Sequence, residues 1–371
     1  MQLTVRFCHA KLKLIYQRLF WGKGETEITV NLKEIAAAAR VSPSTVSLVL
    51  NGKNGVGAQK RAEITRLLTE NGYSIQPRRD SERPRSICFL KFSRHGNLVN
   101  GNADFVANIL DAVELECRRL GYEFRVVIFH GDQFAEIIDK VHSNMPDGIL
   151  LLGTELAEAD IPLLSLIQAP LVIVDNELEH YNYSCVDMDN VEASYQIARY
   201  LHQMGHTDIG YLYNRMPSFN CAARFAAFRA ALSQFRLQLP EAKIIRVSPS
   251  LTGTCQEILD YLHGGGQLPR ALVATNDTIA LGALKAFQAF GLRVPEDISI
   301  IGFDNIQFSS VSFPSLTTIA VSCRDMGTWA VRLLHEQILS PGDSAVKIRV
   351  GVSLVERESV LDCRTAAMEE I

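Results

Sequence analysis

The sequence predicts an α/β protein that carries a separate helix-turn-helix domain, and three observations predict it. Residues 31–52 (NLKEIAAAARVSPSTVSLVLNG) have the apolar spacing of two short helices joined by a tight turn. From Ser86 onward, short apolar runs alternate with helical segments in a repeated strand–helix–strand pattern, which predicts parallel sheets with helices on both faces. Charge divides the same way. Residues 31–85 hold ten Lys and Arg against five Asp and Glu, whereas residues 86–371 hold twenty-two against thirty-four. A basic head on an acidic body fits a phosphate-contacting domain fused to one that does not touch DNA. At 371 residues the chain is too long for one core, so two or three domains are expected.

In the head, Leu32, Ile35, Ala36 and Ala39 give the first helix one buried face. Val41 is apolar enough to plug the angle between two helices. Ser42 suits an N-cap and Pro43 the first helical position, so a second helix starts there. Val46, Val49 and Leu50 face inward along it, and Asn51-Gly52 ends it. Ser44, Thr45 and Ser47 point outward, where a recognition helix meets the major groove. Any short αα-hairpin shows such periodicity, but the density of matches favours DNA binding. A helix over 58–70 covers the pair with Ile64, Leu67 and Leu68, and Gly72 follows as a stop signal. The head thus spans 30–73, followed by a basic linker over 74–85.

In the body, strands are expected at 87–92, 124–129, 148–152, 171–174, 209–213, 243–247, 271–275 and 298–302. Helices are expected at 105–120, 134–142, 190–204, 220–232, 255–262 and 278–290. Two parallel sheets fit this length, and ligands in such folds bind at the carboxyl ends of strands. Polar groups stand there: Ser93-Arg94-His95-Gly96, Asp175-Asn176, Asn276-Asp277 and Phe303-Asp304-Asn305, with Arg224 early in a helix. Asp and Asn cap helices in every α/β protein, and for Asp277 that structural role outweighs ligand contact.

Other classes fit less well. Eight cysteines are scattered singly without C-x-x-C spacing, as in reduced thiols of a cytoplasm. No run of about 18 apolar residues predicts a membrane span. There is no G-x-S-x-G, P-loop or metal-ligand cluster, so an enzyme is not expected, nor a metal or cofactor. Residues 1–29 are basic and partly apolar but lack a signal peptide's apolar core and cleavage site. Two readings stay open for them. They form a genuine basic arm, or they are an extension not translated naturally, since Lys23-Gly24-Glu25 can be encoded as a ribosome-binding site and Val30 as a GTG start.

The segment VSPSTVSLVLNG resembles the signature of the lactose-repressor/galactose-repressor (LacI/GalR) family of bacterial transcription regulators. VDMDN (186–190), YLHQMGHTDIGYL (200–212), ALVATNDTIALGALKAF (271–287), VPEDISIIGFDN (294–305), PSLTTIAV (314–321) and LVERES (354–359) extend the resemblance over about residues 30–362. It implies a periplasmic-binding-protein-like body of two doubly wound α/β subdomains joined by three crossing strands. It also implies a cytoplasmic homodimer, probing a near-palindromic operator in double-stranded DNA, with a small effector, a sugar or related metabolite, between the subdomains. A protein co-repressor in place of that effector, or a secreted solute-binding protein, are the alternatives. The body would run 86–362, one subdomain taking about 86–188 and 318–341 and the other about 189–316 and 345–362, with 363–371 as a tail.

The resemblance places Pro43, Ser44 and Leu48 at base-reading positions and Thr45, Ser47 and Asn51 at phosphate-holding ones, with Lys53, Arg78 and Arg79 as further DNA contacts. It places Arg224, Asn276 and Asp304 at effector-contacting positions. Asp175 and His95 stand at neighbouring strand ends, and Phe219 or Tyr213 would supply an aromatic face, the tryptophans being Trp21 and Trp329. Three departures stand out. Arg40 occupies the turn where Gly or Asn more easily adopts a left-handed backbone. Leu48 replaces a polar residue of the recognition helix, which suits a thymine methyl but not a bidentate bond to guanine. The linker has two prolines and lacks the hinge-helix leucine, so an extended segment without a leucine wedge is expected.

Overall fold

The computed structural model describes residues 31–50, 55–71, 73, 85–96, 98–99, 102–131, 134, 136–138, 146–216, 218–342 and 344–364. The chain divides into two units, Met1–Pro84 and Arg85–Ile371. Residues 1–29, Asn51-Gly52, Gly72, the linker up to Pro84 and the tail from 365 lie outside the described residues.

The first unit is built from α1 (Leu32–Ala38), α2 (Pro43–Leu50) and α3 (Ala58–Glu70). Asn31 caps α1 in a reciprocal box: its Oδ1 accepts from the amides of Lys33 at 2.7 Å and Glu34 at 3.3 Å, while the Glu34 carboxylate accepts from the Asn31 amide at 3.2 Å. Ile35, Ala36, Ala39, Val46, Val49, Ile64 and Leu68 form its core, with Val41, Leu50 and Leu67 packed against them. Each larger side chain so buried contributes roughly 1.5–3 kcal/mol. The turn runs through Arg40 at φ 53°, the left-handed conformation expected there, and the Val41 amide closes it onto the Ala36 carbonyl at 2.9 Å.

The second unit contains two parallel sheets. The larger comprises β1 (Ser86–Ser93), β2 (Glu123–His130), β3 (Gly148–Leu152), β4 (Leu171–Val174), β5 (Ser184–Met188) and β11 (Lys347–Val350), ordered β11-β5-β4-β3-β1-β2. The smaller comprises β6 (Ile209–Asn214), β7 (Ile244–Val247), β8 (Ala271–Ala274) and β9 (Ser299–Ile301), ordered β7-β6-β8-β9. β10 (Thr318–Val321) and β12 (Val352–Val355) form an antiparallel pair. Central strands such as β3 (GILLL) are buried throughout, hence their unbroken apolar sequence.

The helices are α4 (Ala103–Leu120), α5 (Asn190–Gln203), α6 (Phe219–Gln234), α7 (Leu251–His263), α8 (Asp277–Phe290), α9 (Gln307–Val311) and α10 (Cys323–Leu339). α4 stops at Gly121, whose φ of 77° satisfies the last carbonyls through a left-handed cap. One continuous apolar cluster links both sheets, from Ile87 and Val186 through Ile319 to Tyr211 and Phe303. Of the helix expected over 134–142, only residues 134 and 136–138 are described, and 136–138 are helical. One expectation is corrected: 347–350, assigned to the second subdomain, instead extends the first sheet. β11 pairs in parallel with β5 from Lys347↔Cys185 to Val350↔Met188, and the Val346 amide is held by Ser184 Oγ at 3.0 Å.

Candidate nucleic-acid interface and ligand cleft

In the first unit, α2 separates its faces cleanly. Val46 and Val49 are fully buried, Pro43 and Ser44 are exposed, and Thr45, Ser47 and Leu48 are half-buried. Ser44, Ser47 and Leu48 are three and four residues apart and so share one face, and Leu48 does not join the apolar cluster. Ser42 caps the helix as expected, its Oγ accepting from the Thr45 amide at 3.2 Å and lying 2.6 Å from Ser44 Oγ and 2.8 Å from Thr45 Oγ1. Asn51, Lys53, Arg78 and Arg79 lie outside the described residues.

In the second unit, the carboxyl ends of β3, β4 and β9 and the starts of α4, α6 and α8 converge on a cavity of about 40 Å³. Arg224, Asn276, Asp304 and Asp175 all line it. Ser218 caps α6, and Asn220 and Arg224, one turn apart on that helix, carry its polar face inward. Arg224 is 7% exposed. Its Nε donates to Asn190 Oδ1 at 2.8 Å and its Nη1 to the Thr275 carbonyl at 3.0 Å; Nη2 lies 3.7 Å from Asp304 Oδ1. The guanidinium stacks 3.6 Å over the Phe303 ring.

Around this cation stand three buried carboxyls. Asp304 Oδ2 accepts from Asn102 Nδ2 at 2.7 Å. Asp175 accepts from Asn220 Nδ2 at 2.9 Å and from the Thr154 hydroxyl. Asp187 accepts from Asn220 Nδ2 at 3.3 Å and the Met188 amide at 2.9 Å. Burial pushes Asp304 up to about 6 and Asp175 up to about 7, against the pull of Arg224. Burial, with Asp175 beside it, also raises Asp187 well above the ordinary range. The two arms of this network bridge the two sheets: Asn102, at the start of α4, meets Asp304 beyond β9, and Asn220, on α6, meets Asp175 beyond β4.

Asn276 combines two duties, capping α8 through Ile279 N at 3.0 Å while lining the cavity. Asp277 is structural: fully buried, it accepts from Thr318 Oγ1 at 2.6 Å and the Ile306 amide at 2.9 Å, and burial pushes it up to about 8. His95 and Phe219 line a second, mainly apolar cavity of about 290 Å³ that adjoins the first through Leu98 and Ser218. Glu155 holds its wall by accepting from the amides of His95, Leu98 and Val99 at 2.9–3.0 Å. Tyr213 does not line either cavity; it packs edge-on against Phe225 with Arg246 5.2 Å above it. Trp329 sits 44% exposed on α10 beside Arg332. Sequence reasoning missed Asn102, Thr154, Asp187 and Asn220; Asp187, inside the VDMDN segment, and Asn220, four residues before Arg224 on one helix, carried a usable signal. Among the described residues no His, Cys, Asp and Glu group is arranged to hold a metal, and no helix is long and apolar enough to cross a membrane.

Comparison with known proteins bears on both units. Residues 31–76 match "Bacterial regulatory proteins, lacI family", and residues 198–360 match "Periplasmic binding protein-like domain". The chain is 30% identical to the HTH-type transcriptional repressor PurR of Pasteurella multocida (strain Pm70) over 334 residues, 89% of this chain and 98% of that protein. A lac repressor dimer bound to operator and the anti-inducer ONPF superposes with a TM-score of 0.67 at 23% identity, over 90% of this chain and 99% of that one. A complex of the transcriptional regulator CelR with cellobiose does so with a TM-score of 0.66 at 24% identity, over 89% and 99%.

Proposed function

The chain belongs to the lacI family of bacterial regulatory proteins and is a DNA-binding transcriptional regulator; from that premise we propose that it is a cytoplasmic repressor that binds a palindromic operator as a homodimer and answers to a small effector. Two recognition helices enter successive major grooves about one turn apart (~34 Å). Pro43, Ser44 and Leu48 meet base edges, while Thr45, Ser47, Asn51 and Lys53 hold the backbone and Arg78 and Arg79 follow it beyond the head. The observation that carries this reading is the face of α2 on which Ser44, Ser47 and Leu48 stand clear of the core that Val46 and Val49 fill.

The effector, a sugar or related metabolite, occupies the cleft around Arg224, Asn276, Asp304 and Asp175, with His95 and Phe219 at its outer end. Polar pairs joining opposite subdomains support this, because a ligand that replaces them changes how the lobes close. Sequencing of genomic DNA captured by the purified full chain tests the regulator reading. A compact palindrome is the expected result, and fragments without a shared half-site argue against it. For the cleft, Arg224→Ala abolishes the effector response while leaving operator affinity in place. An Arg224→Ala protein that responds normally removes that assignment.

A further inference from the structure

The inner cavity presents a ligand with carboxyl and amide acceptors. Two carboxyls, Asp175 and Asp304, line it with one guanidinium, that of Arg224, and a third, Asp187, is buried behind Asn220. Two donors of Arg224 are engaged, Nε with Asn190 and Nη1 with the Thr275 carbonyl, while Nη2 lies 3.5 Å from Met188 Sδ and 3.7 Å from Asp304 Oδ1. Asn220 spends its Nδ2 on Asp175 and Asp187. Asn102 adds the telling detail. Its Nδ2 donates to Asp304 at 2.7 Å, and its Oδ1 is buried without a hydrogen-bond partner. Flipping the amide would set oxygen against a carboxylate, so charge fixes this orientation and leaves an acceptor unused.

We propose that the effector is a cationic amine whose ammonium group donates to Asp175, Asp304 and Asn102 Oδ1, its apolar body filling the outer cavity beside Phe219. This rests on the reading of the cleft as the effector site. An ammonium has three donors and no acceptor, which matches these three acceptors on lining residues. A sugar hydroxyl brings an acceptor with every donor and leaves three carboxyls sharing one cation. A carboxylate effector adds a fourth negative group where burial already disfavours charge. Burial raises Asp304 to about 6 and Asp175 to about 7, and an ammonium beside them favours their ionised forms, so the proton that Asp175 shares near neutral pH is released.

Size agrees. A water needs roughly 10–15 Å³ of such space, so the inner cavity of about 40 Å³ takes a head of a few atoms. Leu98, Leu156, Met216 and Phe219 line the adjoining space of about 290 Å³.

Calorimetric titration of the full chain with matched pairs tests this, benzylamine against benzyl alcohol and glucosamine against glucose. At least one amine binds about tenfold more tightly than its alcohol. That margin disappears in Asp304→Asn and Asp175→Asn, and the wild-type heat varies with the ionisation enthalpy of the buffer because protons leave. An alcohol that binds as tightly as its amine overturns the proposal, and if Arg224→Ala abolishes that binding the cleft reading survives it. Silence from both amines at about 10 mM also overturns it. Amine binding unchanged by Arg224→Ala, Asp304→Asn and Asp175→Asn lies outside the cleft and overturns both readings.

Discussion

Arg40 holds a left-handed backbone at φ 53°, a conformation that costs a non-glycine residue about 1–2 kcal/mol. Glycine in its place removes that strain but loses about 0.5–1 kcal/mol to the greater freedom of its unfolded chain. Arg40→Gly therefore stabilises the head by roughly 0.5–1 kcal/mol. The amides of Val46 and Val49 in native-state hydrogen exchange report it as slower opening, and unchanged exchange contradicts it. Ser42→Ala works in the opposite sense. It removes the cap from the Thr45 amide at 3.2 Å and costs about 1 kcal/mol, so the same amides exchange roughly fivefold faster. In the body, left-handed backbone occurs again at Asp175 (φ 64°), Asp304 (φ 107°) and Asn305 (φ 53°). Two of these are the carboxyls beside Arg224, whereas Leu178 (φ 44°) and Arg236 (φ 57°), also left-handed, do not line the cavity.

At the scale of the element, α2 separates stability from reading. Val46 and Val49 are fixed by the core, whereas Leu48, half-buried, stands outside it. Leu48→Ala should relax discrimination at one base pair by about 1–3 kcal/mol while affinity for non-specific DNA stays constant. Competition among single-base operator variants measures this; a uniform loss across all variants would make Leu48 a structural residue. Elements whose own sequence demands burial were legible before folding. β3 (GILLL) and β4 (LVIV) fall where their apolar runs end, and α4 stops at its glycine. β5 (SCVDM) was not, because its polar residues are satisfied only by distant partners: Ser184 by Gln337 at 2.7 Å, Asp187 by Asn220 at 3.3 Å. β11 (KIRV) sits at a sheet edge with Arg349 reaching Glu177, and its short charged sequence announced neither a strand nor its sheet. The same holds for the site. Arg224, Asn276 and Asp304 carried motifs, while Asn102 joins Asp304 from 202 residues away and nothing local announced it.

For the whole molecule, the basic head implies affinity built on phosphates. If Lys53, Arg78 and Arg79 of both protomers neutralise about six phosphates, log K falls with log salt at a slope of about −5. A slope near zero in a salt titration would deny the head that role. The acidic body has its own dependence, set by the buried carboxyls. An Asp whose folded pKa is raised keeps its proton after the unfolded chain has lost it. The folded state then binds more protons, and stability falls as pH rises from the ordinary value towards the raised one. For Asp175 that window runs from 3.8 to about 7, and for Asp304 from 3.8 to about 6. Asp277, raised to about 8, adds to the fall. His206 opposes it, since burial lowers its pKa and its neutral form gains stability as pH rises to the ordinary 6.5. Comparing wild type with Asp175→Asn cancels His206 and isolates the cleft. The variant should gain on wild type by on the order of 2 kcal/mol between about pH 5 and pH 7, read from urea unfolding without ligand. A difference constant across that range would mean that Asp175 is already ionised in the cleft, held so by Arg224 and Asn220, and that the cavity bears a second negative charge beside Asp304.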